Sequence, residues 1–385
     1  MKKRITLIFV LLLLLSFFAL QASAEGPAEK ITGGISVRVG GADRSAWMQD
    51  GSIFTMAEGR QNQLLEIKSS QPFAALYITW DRAPTSYTLT WEGGSVEGGQ
   101  GGFLHDYIAL PEETTAVTLD FGGQGFGVCD IALYTSGEKP AEVQQWEAPD
   151  DEADILVFAT HADDDVLYFG PLISRCVTER QLDVQVAFMV AHTPAKLRSH
   201  ERLDGLWALG VRRYPIIGPG EDYKVHGHST VEIYHRNDDI LGWQIGLLRR
   251  FRPMVTVGHD LEGEYGNCQH SLNAEYLTRA VAAANDPTQS PQSAERYGTW
   301  DTPKLYLHLY PENEIILDVN TPVAGDPLGR TPFQIAQDAF LCHKSQQGAF
   351  RVTQEDPRQD CRKFGLYRSL VGPDSTADIM ENIDF

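Results

Sequence analysis

The run Ile155, Leu156, Val157, Phe158, Ala159, Thr160, followed by His161, Ala162, Asp163, Asp164, Asp165, decides how this chain is read. A short continuous apolar run predicts a strand buried on both faces, the kind found in parallel sheets. Where that strand gives way to a loop, an imidazole and three carboxylates follow at once. Such a set can hold a divalent cation and deprotonate water beside it, which points to hydrolytic chemistry. Acidic residues in the first turn of a helix are the ordinary alternative, since they complement the helix dipole.

Further along, apolar strands at Val184 to Val190, Tyr214 to Ile217 and Met254 to Val257 alternate with helical stretches at Ala195 to Leu209, Ile233 to Phe251 and Leu272 to Ala284. This alternation predicts a parallel sheet covered on both faces, with the ligand beyond the carboxyl ends of the strands. A second loop at such an end runs from Gly258 through His259, Asp260, Glu262, Glu264 and Asn267 to His270. It is dense in potential ligands, and its distance in sequence from His161 is no obstacle to the two loops meeting over one pocket.

Towards the N-terminus, Ser136 to Ala153 is rich in Pro, Glu and Asp and reads as a linker. Before it, short alternating runs (Ala75 to Trp80, Tyr87 to Trp91, Ala116 to Phe121, Val128 to Tyr134) are separated by glycine-rich turns, which predicts an all-β sandwich. Trp80, Trp91 and Tyr87 in it are either core residues or platforms for a sugar. Lys2, Lys3 and Arg4 precede an apolar stretch and then Ala22, Ser23, Ala24, the form of a cleavable signal peptide. The expected organisation is a signal peptide over 1–24, a sandwich over 25–148, carbohydrate-binding by analogy of architecture, and an α/β domain over 149–385. The expected location is secreted or periplasmic, without a permanent membrane span.

Loss of the leader removes three positive charges and no negative ones, leaving −23 where the whole chain carries −20. A surface of that sign repels nucleic acid and anionic lipid. The five cysteines all follow the leader, where disulfides can form; their odd number means at least one stays unpaired or pairs between chains, and no CxxC spacing indicates a cysteine-based metal cluster.

From about Asp154 onward the chain resembles the PIG-L/LmbE-type family of zinc-dependent N-deacetylases. The family's His-Pro-Asp-Asp-Glu stands here as His161, Ala162, Asp163, Asp164, Asp165. Its Arg-x-x-Glu and Ala-Leu-Gly-Val stand as Arg198, Glu201 and Ala208 to Val211, its distal histidine as His270, and its late His-x-Ser-Gln as His343, Ser345, Gln346. The resemblance implies a Rossmann-like fold holding one Zn2+ on His161, Asp164 and His270, with Asp163 as the base that takes a proton from water. The substrate it implies is an N-acetylated amino sugar or polysaccharide. Asp165, Arg198, His259 and Asn267 are the expected substrate-binding or supporting residues; for Arg198 and Glu201 an ordinary surface pair is an equal reading, and for His343, Ser345 and Gln346 a structural role is favoured.

Two positions depart from the family pattern. Ala162 replaces a proline, which is expected to loosen the loop slightly. Asn267 replaces a histidine three residues before the distal ligand, and an amide can donate a hydrogen bond but gives up no proton at neutral pH. The alternative to a deacetylase is therefore a protein of the same fold that binds metal and sugar with little turnover.

Overall fold

The computed structural model describes residues 26–192, 195–223 and 239–383. The leader and His226, His228 and His235 lie outside the described residues. Two compact units are present, Met1–Gln145 and Trp146–Phe385.

The first unit is antiparallel throughout its named strands: β1 (Ile35–Val39), β2 (Ala42–Asp43), β3 (Ala57–Gly59), β4 (Leu65–Arg82), β5 (Tyr87–Trp91), β6 (Gly94–Gly98), β7 (His105–Asp120) and β8 (Phe126–Tyr134). Their order is β2-β1-β4-β7-β5-β6, with β8 joined to both β4 and β3. The first part of β4 lies beside β1, and after register shifts between Lys68 and Ala75 its second part lies beside β8. Trp80 and Tyr87 belong to the core: Trp80 is fully buried, edge-on to Phe121 and Phe126 at 6.0 and 6.4 Å. Gly59 is required beneath that cluster, because a Cβ there would stand 2.1 Å from the Phe126 ring. Trp91 is only half-buried, and its indole N–H donates to Glu112.

In the second unit, strands β9 (Ile155–Ala159), β10 (Val184–Val190), β11 (Ile216–Gly220), β12 (Val255–Gly258), β13 (Lys304–His308), β14 (Glu314–Ile316) and β15 (Lys363–Ser369) form one sheet in the order β11-β10-β9-β12-β13-β15-β14. Pairing from β11 to β13 is parallel, but β15 and β14 are antiparallel. The sheet is thus mixed where sequence reading expects a parallel one; β14 and β15 are short or polar-flanked and carry no helical crossover pattern. Helices α1 (Asp164–Leu167), α2 (Gly170–Thr178), α3 (Lys196–Ala208), α4 (Ile240–Phe251), α5 (Cys268–Ala283), α6 (Pro291–Tyr297) and α7 (Pro332–Phe340) complete the unit. The α5 helix starts four residues before its apolar pattern does, because Asn267 caps it by accepting from the Gln269 N–H. The chain leaves β9 towards β10 on one side, while β12 flanks β9 on the other. Between β9 and β12 lies the switch point at which open α/β sheets form their crevice.

The expected linker is not bare: Val143 is buried, and Trp146 packs its ring on Trp207 and Tyr214 at 5.5 and 5.6 Å. None of the five cysteines is in a disulfide. Among the described residues, no helix is long and apolar enough to cross a membrane.

Lys304 at the start of β13 is fully buried, its Nζ 2.6 Å from Asp374 and 3.2 Å from the Ile379 carbonyl, tying the C-terminal segment to the sheet. Removing one partner of a buried pair strands the other charge. Asp374→Ala is expected to lower the unfolding free energy by about 3–5 kcal/mol in urea denaturation; a loss below about 1 kcal/mol contradicts the buried-pair account.

Candidate metal centre

The loop after β9 carries His161 and Asp164, and the loop after β12 leads into α5, where His270 is the third residue. Three lone-pair atoms converge there. His161 Nδ1 is 3.1 Å from His270 Nε2 and 3.4 Å from Asp164 Oδ2, and His270 Nε2 is 3.2 Å from the same oxygen. Bonds of about 2.0–2.2 Å to one cation, at angles between octahedral and tetrahedral, place donor atoms roughly 3–3.5 Å apart. The spacing fits a single ion.

Hydrogen-bond partners on the far side of each ring fix which nitrogen is available. Gln269 Oε1 accepts from the Tyr223 N–H and so also accepts from His161 Nε2, at 3.1 Å, which leaves Nδ1 without a proton. Glu264 Oε2 accepts from His270 Nδ1 at 2.8 Å, which leaves Nε2 free. Burial opposes charge on His270, but Asp164 and Glu264 outweigh it and hold the imidazole up at about 10, so a cation at this point would take the place of the Nε2 proton. Burial likewise opposes ionisation of Asp164, yet His270 and His161 hold its carboxyl well below the usual carboxylate range. Positive charge is what this arrangement demands.

Glu264, fully buried, is the hub behind the site. Its oxygens lie 2.8 Å from His259 Nδ1, 2.8 Å from His270 Nδ1 and 2.7 Å from His308 Nδ1, and it accepts the Asp260 N–H. Burial works against its ionisation; the histidines hold it well below its ordinary value. His259, Glu264 and His270 also have the proximity of a ligand set. That set is already spent: His259 Nε2 accepts the Thr160 N–H at 3.0 Å, and its Nδ1 proton goes to Glu264. His259 is fully buried and lines no part of the cleft.

Asp163 lies at the cleft with Arg198 Nη2 on its Oδ1 at 2.6 Å. Burial pushes its carboxyl up, while Arg198 pulls it down. One turn further along α3, Arg202 faces Asp165, a fully buried carboxyl whose oxygens have no hydrogen-bond partner among the described residues and which burial and the neighbouring aspartates push well up. Asp165 does not line the cleft. The same helix face carries Glu201, whose two oxygens accept the Ser345 N–H at 2.7 Å and hydroxyl at 2.5 Å. Arg198 and Glu201 are therefore not a surface pair; one meets Asp163 and the other meets the His343 to Gln346 turn. The cleft, of about 170 Å³, is walled by His161, Asp163, Asp164, Arg198, Tyr265 and Gln346, with Asn267, Asp222 and Phe350 also on its lining.

Asn267 serves twice, since its oxygen caps α5 and its amide donates to the Tyr265 hydroxyl at 2.9 Å. The Ala162 departure also has a use. Its N–H, which proline lacks, donates to His192 Nε2 at 3.0 Å, and His192 Nδ1 then faces Asp222 at 3.4 Å. His192 is buried and partnered, where composition alone makes it uninformative. Glu264, His192, Tyr265 and Asp222 are the site residues that sequence reasoning misses; only the position of Glu264 and Tyr265 in the ligand-dense loop hinted at them.

No protein-family model matches the chain. The 1D-myo-inositol 2-acetamido-2-deoxy-alpha-D-glucopyranoside deacetylase 2 of Saccharopolyspora erythraea is 28% identical over 275 residues, 59% of this chain and 97% of that relative. The chain resembles the PIG-L/LmbE-type deacetylases. A second deacetylase named for the same compound, from Catenulispora acidiphila, is 24% identical over 211 residues, 48% of this chain and 64% of the relative. Among solved structures, the N,N'-diacetylchitobiose deacetylase of Pyrococcus horikoshii is 17% identical with a TM-score of 0.39, covering 51% of this chain and 72% of that one. Against the PIG-L/LmbE-type pattern, the two departures at Ala162 and Asn267 each hold a hydrogen bond of their own.

Glu264→Gln replaces a carboxylate that receives three imidazole N–H groups with an amide that can accept on one atom only. Loss of such an orienting partner is expected to weaken zinc binding about 10–100-fold, measured by competition with a chromophoric chelator. Unchanged affinity contradicts the role given to Glu264.

Proposed function

We propose that this chain is an exported, zinc-dependent hydrolase that removes the acetyl group from the nitrogen of an N-acetylglucosamine-type amino sugar or glycan. The observation that carries the reading is the convergence of His161 Nδ1, Asp164 Oδ2 and His270 Nε2 within 3.1–3.4 Å, with Asp163 beside them at a cleft. Two imidazoles and one carboxylate are a set that leaves coordination positions for water and substrate. The relatives, named as deacetylases of an acetamido sugar, support an amide as the bond cleaved.

Zinc on this triad supplies a Lewis acid that polarises the acetamide carbonyl and lowers the pKa of water. The chain's own residues do the rest. Asp163, steadied by Arg198, takes the proton from the attacking water and returns it to the leaving nitrogen; burial raises its carboxyl towards the range in which a base works near neutrality. Tyr265, whose oxygen receives the Asn267 amide, keeps its own O–H to donate to the developing oxyanion. Burial raises the phenol, so it stays protonated. Its presence at the cleft favours turnover over a binding-only protein despite the missing histidine at Asn267.

The first unit is read as a β-sandwich that holds the glycan, on architecture alone. Residues 1–24 are read as the cleavable leader that sends the protein outside the cytoplasm.

Mature protein loaded with zinc and given chitooligosaccharide is expected to release acetate. Asp163→Asn is expected to keep stoichiometric zinc and lose about 10²–10⁴-fold in acetate release, whereas His270→Ala loses both. Zinc lost from Asp163→Asn, or acetate release retained by it, overturns the assignment of base and ligands.

A further inference from the structure

The late turn His343 to Gln346 meets α3 in two ways. Glu201, almost fully buried, receives both the N–H and the hydroxyl of Ser345, at 2.7 and 2.5 Å. One turn on, Gly205 lets the turn approach: a Cβ there would stand 2.6 Å from His343 Nε2 and 3.2 Å from Val166. The Ser345 hydroxyl, with its proton committed to Glu201, accepts from Gln346 Nε2 at 2.9 Å. A carboxylate therefore sets a hydroxyl, and the hydroxyl sets an amide. Gln346 shares the wall of the cleft with Asp163 and Arg198, and with its nitrogen given to Ser345 its side-chain oxygen receives no hydrogen bond from the described residues.

We infer that Gln346 is a specificity residue whose amide oxygen accepts a hydrogen bond from a substrate hydroxyl or amide N–H next to the scissile bond, and that Glu201 and Ser345 are positioning residues that hold it in that orientation. The chemistry of the neighbours agrees. Arg198 offers only donors, Asp163 is reserved for the proton of water, and the Asn267 oxygen and Tyr265 oxygen already receive the Gln269 N–H and the Asn267 amide, so beside Asp163 and Arg198 the Gln346 oxygen is the uncharged acceptor not already engaged. Without Glu201 the Ser345 proton is free to turn to Gln346 Oε1, which would rotate the amide and present a donor in place of the acceptor.

This inference rests on the deacetylase reading for its kinetic test and is independent of it for its spectroscopic one. With zinc-loaded full-length mature protein and N,N'-diacetylchitobiose, Gln346→Ala is expected to raise KM about tenfold, as loss of one hydrogen bond of roughly 1.4 kcal/mol does, with the change on KM rather than kcat. Glu201→Gln is expected to raise KM similarly, and the double variant Glu201→Gln/Gln346→Ala no further than Gln346→Ala alone, because the two act through one chain of bonds. Independent multiplication of the two effects overturns the relay. Separately, of the two side-chain amide protons of Gln346, followed by 15N NMR in the absence of substrate, the one bonded to Ser345 is expected downfield of its partner's usual position and to move upfield in both Glu201→Gln and the milder Ser345→Ala. If it is unmoved in either variant the inference fails, whatever the enzyme's activity; if wild-type protein releases no acetate from any N-acetylated sugar while the resonance behaves as described, it is the deacetylase reading that fails.

Discussion

Two imidazole nitrogens and a carboxylate oxygen crowded within 3.1–3.4 Å of one another in a buried site are unfavourable to build, and the second unit is organised around making them tolerable. His161 Nδ1, Asp164 Oδ2 and His270 Nε2 come together only because the opposite side of each ring is held: His161 by Gln269 and His270 by Glu264. Glu264 in turn is sustained in a fully buried position by three imidazoles and a backbone N–H. The desolvation of so many polar groups is offset by mutual hydrogen bonds, and the remaining deficit is one of positive charge at a single point. A divalent cation would meet it.

The sheet supplies the frame and α3 supplies the alignment. The crevice between β9 and β12 brings together loops that start about a hundred residues apart, as strand order requires. Along one face of α3, Arg198, Glu201, Arg202 and Gly205 address in turn Asp163, Ser345, Asp165 and His343. Of three consecutive aspartates, the outer two face arginines one helical turn apart, and the middle one is left for the ion. A shift of α3 would disturb Asp163 and the Ser345–Gln346 turn together.

Much of this was legible in the sequence. The buried strand ending in His161, the ligand-dense loop after the strand at Val255, and the change from alternating to continuous apolar runs all follow from periodicity, and each corresponds to an element at or near the expected residues. What was not legible depends on partners distant in sequence. Glu264 reads as one of several loop acids until its three histidines are located. Asn267 and Ala162 read as defects until the Tyr265 hydroxyl and His192 ring appear opposite them. His192 stands outside every motif, and Trp146 reads as part of an acidic linker, because burial comes from residues elsewhere in the chain. The antiparallel β14 and β15 lie in a stretch with no strong period, so their pairing rests on tertiary context.

A cation held jointly by His161, Asp164 and His270 is tested most plainly by an anomalous difference map from crystals of the zinc-loaded protein, collected on both sides of the zinc absorption edge. A single strong peak about 2.0–2.2 Å from His161 Nδ1, Asp164 Oδ2 and His270 Nε2 is the expected result. A peak between His259 and Glu264, or no peak within bonding distance of His161 and His270 together, would contradict it.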